Sequence, residues 1–108
     1  MTSDTRNKQL KPFWRTDGMD KLADLGEMKK AIVVSLYTPL CDDNYYSISP
    51  RSYFPFTDAQ HHRKFDDYYD CCMYAESIIL DWVKSLLLNE KDAKSVEIIS
   101  QIIKTITE

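Results

Sequence analysis

Glycine is nearly missing from this chain. Two glycines and four prolines in 108 residues leave little of the turn chemistry that a fold of many short strands requires, which points to helices. Long apolar runs are lacking as well: none approaches the roughly 20 residues that a bilayer-spanning helix needs. The N-terminal MTSDTRNKQLK carries charge but no apolar segment of the secretory kind, so the expected compartment is the cytoplasm. A basic stripe is absent too. The net charge is −3, whereas proteins that grip nucleic acid present clustered Lys and Arg to displace counterions from phosphate. Neither nucleic acid nor an anionic membrane is an expected partner.

Cysteine is scarce and unpaired. Cys41, Cys71 and Cys72 are an odd number with no C-x-x-C or C-x-x-H spacing, which argues against a disulfide framework and a structural zinc site. Reduced thiols are expected, with Cys72 in the core. The chain holds no G-x-S-x-G, Walker loop, G-x-G-x-x-G, H-E-x-x-H or EF-hand loop, and two glycines could not build a phosphate cradle. His62, Asp66 and Asp70 follow one another at steps of four and would share a face of one helix, the single arrangement with metal-ligand character. Histidines with nearby acids are more often a solvated helix start. No catalytic residue, metal or cofactor is assigned, and an enzyme is not expected.

What the chain does have is apolar material for one core, at 44% apolar and 29% charged residues. Its longest helical pattern covers 57–88, with Phe65, Tyr68, Tyr69, Cys72, Ala75, Ile79, Trp82, Val83 and Leu86 recurring at three and four. Thr57-x-x-Gln60 ahead of it reads as a capping box. After 89–91, Asp92 can cap a last helix carrying Val96, Ile99, Ile103 and Ile106, so the final two helices form an αα-hairpin. Over 16–37 the spacing of Met19, Leu22, Leu25, Met28, Ile32 and Leu36 predicts another helix. The β-branched run 31–37, following Gly26, offers a strand as the alternative. The stretch 40–56 has no helical period and holds Tyr45, Tyr46, Tyr53, Phe54 and Phe56; it reads as a long aromatic loop, with a short strand pair of 45–48 and 51–54 as the alternative. The expected fold is mainly α: a small single-domain helical fold of about three to four helices over 16–108, behind a mobile tail over 1–15 in which Phe13 and Trp14 tuck against the core.

A straight helix over 58–88 would be about 46 Å long at 1.5 Å per residue, longer than a compact domain of this size is wide. Either it breaks near Cys71-Cys72, or it projects and pairs with a second copy, with Leu88, Ile98 and Ile102 as the dimer face.

Charge and tyrosine are unevenly distributed. Positions 40–81 hold eight acids against three bases, and six of the seven tyrosines. Tyrosine supplies rigid apolar area with a hydroxyl, and interleaved carboxylates speed capture of a cationic partner. The candidate partner-binding residues are Asp42, Asp43, Tyr45 and Tyr46 in the loop and Asp66, Asp67, Tyr69 and Asp70 on the helix. In type this resembles bacterial immunity proteins, whose acidic, tyrosine-bearing surface blocks a cationic toxin domain, often a nuclease; the likeness is one of composition over about 40 residues and carries no motif. It implies a small binding protein that neutralises a basic protein partner such as a toxin or nuclease domain. Three other functions fit less of the pattern: a phage or plasmid inhibitor of a host DNA-binding protein, acting as an acidic mimic; a helical homodimer of regulatory or scaffolding role; and a metal-dependent enzyme built on the histidines and aspartates.

Overall fold

The computed structural model describes residues 9–26, 28–41, 43–89 and 91–107. Four strands come first, β1 (Trp14–Asp17), β2 (Asp20–Leu25), β3 (Met28–Tyr37) and β4 (Tyr45–Ile48). They are followed by α1 (Asp58–His62), α2 (Tyr68–Asn89) and α3 (Ala93–Thr107). The strands lie in chain order in one antiparallel sheet, and α2 and α3 pack on one face of it. This mixed α/β architecture overturns the expectation of a mainly helical fold.

The first error concerns 16–37, where a helix was expected and a hairpin of β2 and β3 is found. In β3, five consecutive residues, Ala31, Ile32, Val33, Val34 and Ser35, are buried. A strand covered on both faces loses the alternation that marks a half-exposed one, and its apolar residues then match a helical period by accident. The β-branched content decided the outcome. The second error is the inference from glycine. Gly18 (φ 63°) and Gly26 (φ 61°) each open a two-residue loop, between the paired residues Asp17 and Asp20 and between Leu25 and Met28. Such hairpin loops need a positive φ at the first position. A meander with two tight turns needs two glycines, and this chain has two.

The β2–β3 ladder is irregular between Ala23 and Leu25, where β3 bulges and Lys30 takes a φ of 52°. A positive φ costs a lysine about 1 kcal/mol. Two hydrogen bonds hold it: the Lys30 N–H donates to Asp24 Oδ1 at 2.9 Å, and its carbonyl accepts from the Tyr53 N–H at 2.9 Å.

The aromatic stretch after β4 is not a free loop. It runs along the same edge of β3: Ser49 N–H donates to the Val33 carbonyl (2.6 Å) and Phe54 N–H to the Ala31 carbonyl (3.0 Å). Of the strand pair considered for it, 45–48 is a strand, but it pairs with β3 and not with 51–54. The Thr57–Gln60 capping box is present, but it caps only the five-residue α1. The long helix breaks at 63–67, ahead of the cysteines, and Phe65 makes an antiparallel bridge to Tyr46 instead.

The core lies between sheet and helices. Ala23, Leu25, Ile32, Val34 and Ile48 of the sheet meet Cys72, Ala75, Ile79 and Val83 of α2 and Ile99, Ile102 and Ile106 of α3. Asp92 caps α3 from just ahead of it: its Oδ2 accepts from the Ser95 N–H at 3.1 Å. Of the tail expected over 1–15, residues 1–8 lie outside the described residues. From Leu10 onward the chain is held: Leu10 and Phe13 pack on the core, and Trp14 is buried at the head of β1.

Candidate functional site

One end of the sheet gathers most of the residues singled out from the sequence. The free edge of β4 pairs with Phe65: Tyr46 N–H donates to the Phe65 carbonyl at 2.7 Å, and Phe65 N–H to the Tyr46 carbonyl at 2.9 Å. That pairing draws the segment with Asp43, Tyr45 and Tyr46 against the segment with Asp66, Asp67, Tyr69 and Asp70, although the two are about twenty residues apart in the chain. Asp42 lies outside the described residues.

The rings there are half-buried and touch one another. Tyr45 stacks on its cross-strand partner Tyr37, with centroids 5.3 Å apart and planes 20° from parallel. Tyr46 meets Tyr68 edge-on at 5.9 Å, and Phe65 lies against Tyr74 at 5.2 Å. Cations cover several of these faces. Lys64 Nζ sits 4.8 Å from the Tyr45 centroid, Lys21 Nζ 4.6 Å from Tyr68, and the Arg63 guanidinium 4.9 Å from Tyr74. Each holds its charge over the negative face of a ring.

The carboxylates divide into two groups. Asp43, Asp66 and Asp70 are exposed. Asp67 is half-buried and starts α2: its Oδ1 accepts from the Tyr69 N–H at 3.0 Å, and its carbonyl from the Cys71 N–H at 3.3 Å. An acid at this position satisfies a backbone donor that the helix leaves unpaired. Other acids of the 40–81 segment are elsewhere. Asp58 opens α1 and Asp81 lies three turns along α2. Glu76 is 4% exposed.

Glu76 is a structural centre that the charge count alone does not show. Its Oε2 accepts from the buried Trp14 indole N–H at 2.7 Å, and its Oε1 from Lys11 Nζ at 2.9 Å. Lys11 also donates to the Ile106 carbonyl, so one ion pair ties the N-terminal segment to α2 and to the end of α3. The sequence carries a signal for it: Glu76 follows Cys72 by four and precedes Ile79 by three, within the apolar stripe.

The other chemistry-bearing residues have structural surroundings. His61 Nδ1 lies 2.9 Å from the Ile48 carbonyl. The break at 63–67 takes His62 off the helix that carries Asp70, so the expected shared face does not exist. Among the described residues, no group of three or more His, Cys, Asp or Glu could hold a metal ion. Cys71 and Cys72 are buried and Cys41 is exposed, all as free thiols. Burial pushes the Cys71 thiol up to about 12 and that of Cys72 up as well, with the neighbouring Cys71 and Glu76 adding to the shift. On the opposite sheet face, Arg51 Nη2 reaches Asp20 at 2.6 Å and the Ser35 hydroxyl at 3.1 Å. The Asp20 carboxylate raises the guanidinium pKa further.

A second feature, invisible to spacing arguments, is a groove of about 870 Å³ between the β2–β3 turn and α3. It lies at the far end of β3 from Tyr37.

These features define a two-layer α/β domain with an acidic, aromatic end and a separate apolar groove. Searches of family models, curated proteins and solved structures find no match to this chain. Among the described residues, no helix is long and apolar enough to cross a membrane.

Proposed function

We propose that this protein is a small cytoplasmic binding protein that neutralises a basic protein partner in the manner of an immunity protein, the partner being a toxin domain of the nuclease type. The observation that carries the reading is the Tyr46–Phe65 bridge, which brings the segment with exposed Asp43 against the segment with exposed Asp66 and Asp70, among half-exposed tyrosines. Carboxylates on such a surface capture Lys and Arg, while the rings exclude water around the pairs. Lys21, Arg63 and Lys64 lower the negative field below what the acids alone would give, and each sits over the face of a ring. Asp67 shapes this surface by starting α2, and the partner contacts fall to Asp43, Asp66, Asp70, Tyr45, Tyr46 and Tyr69. The protein performs no chemistry of its own in this reading.

An immunity gene directly follows its toxin gene, which gives the test. The product of the preceding gene should be a cationic protein that is toxic when expressed alone. Co-expression with this chain should abolish the toxicity and yield a complex that co-purifies. A neighbour whose toxicity is unchanged by co-expression, or which is not toxic, overturns the reading.

A further inference from the structure

The groove between the β2–β3 turn and α3 is apolar inside, with Leu25, Met28 and Ile102 in its lining. Beside the hollow stand two apolar side chains that the fold leaves exposed, Tyr53 at 71% and Ile98 at 48%. Exposed large apolar groups gathered beside a hollow mark an interaction surface. Its rim carries both signs of charge, with Lys29 and Lys94 against Glu97. Lys94 and Glu97 are three residues apart on α3, about one turn, and Ile98 follows Lys94 by four on the same side of the helix.

We infer that a second copy of this chain occupies the groove, giving a two-fold dimer. A two-fold interface is isologous, so one patch must contain its own complement. This patch contains a hollow, projecting apolar groups that could fill it, and cations next to an anion. A partner charged with a single sign would meet like charge somewhere on the rim, whereas a copy turned by the two-fold runs its α3 antiparallel to the first. Lys94 of each chain then faces Glu97 of the other, and Ile98 of each faces the other's hollow. The groove and the acidic end sit at opposite ends of β3, whose ten residues span about 30 Å. The dimer therefore leaves both acidic ends open, and its existence does not depend on what they bind.

Sedimentation equilibrium of the full chain over a range of concentrations is the test. The wild type should reach twice the 12.7 kDa chain mass as concentration rises. Ile98→Asp should raise the dissociation constant about 100-fold, since a central apolar contact is lost twice per dimer. Leu40→Asp, at a fully exposed site outside the groove, should leave it unchanged. Lys94→Glu should weaken the dimer, and Lys94→Glu combined with Glu97→Lys should restore it, a rescue that no loss of folding would give. A wild type that stays at the single-chain mass at every concentration overturns the inference. So does a dimer that ignores Ile98→Asp, or a monomer in which Ile98→Asp abolishes capture of the cationic partner, which would assign the groove to that partner instead.

Discussion

Glu76, Asp24 and the cysteines show how single residues are placed by their surroundings. Removing the Glu76 carboxylate strands the buried Trp14 N–H and releases Lys11, and hydrogen bonds to a charged group are worth about 1.5–3 kcal/mol. Glu76→Ala should therefore destabilise the fold by about 2–3 kcal/mol in urea unfolding, and free the segment around Lys11 for rapid amide exchange. Asp24 is held below its ordinary carboxylate value of 3.8, first by the Lys30 backbone N–H and then by Arg15. A depressed native pKa stabilises above the ordinary value and loses that contribution as pH falls through the native one. Asp24→Asn keeps an acceptor for the Lys30 N–H but cannot titrate. Its stability should thus fall less than that of the wild type as pH drops below about 3.8, as measured by urea midpoints across the acid limb. Thiolate is the reactive form of cysteine, and burial suppresses it at Cys71 and Cys72. A thiol reagent should titrate one group quickly in the native protein, Cys41, and three after unfolding. Two fast native thiols would contradict the burial.

At the scale of elements, the local signals were sound and their extents were not. The capping box at Thr57 is real but ends after α1, because 63–67 gains more by pairing Phe65 with the edge of β4 than by continuing a helix. An unpaired strand edge is a strong competitor for nearby backbone. The apolar stripe of α2 is likewise real at Cys72, Ala75, Ile79 and Val83 and fails at Trp82, which is 45% exposed and touches Phe54 edge-on at 4.9 Å. Ile79→Ala, at a fully buried site, should cost about 2–5 kcal/mol. Trp82→Ala should cost about 1 kcal/mol, the worth of one aromatic pair. Equal midpoint shifts in denaturant would mean that Trp82 is as buried as the spacing first implied.

For the whole molecule, the charge asymmetry counted along the chain becomes a narrower one in space. Glu76 is internal, Asp67 begins a helix, Asp58 opens α1 and Asp81 lies well along α2, so among the described residues Asp43, Asp66 and Asp70 remain as exposed acids there. If the proposed cationic partner docks on this surface, reversing these three to Lys should slow association with it by at least about tenfold at low ionic strength. The difference should shrink as salt rises, since exposed charges are screened beyond about 10 Å at 0.1 M. Stopped-flow association rates across salt would check this, and a salt-independent difference would remove steering from the account.

The residues by themselves determined the concentration of carboxylates and tyrosines over 40–81. They also determined the last helix with its Asp92 start, the Thr57 capping box and the apolar spine of α2, because these depend on neighbours three and four positions away. Which strands form, where the long helix stops, which acids reach solvent and where a groove opens were decided only by the tertiary structure. Each depends on partners far along the chain: β3 is covered on both faces and so lacks a readable period, and Phe65 leaves the helix for an edge that exists only once the sheet has formed.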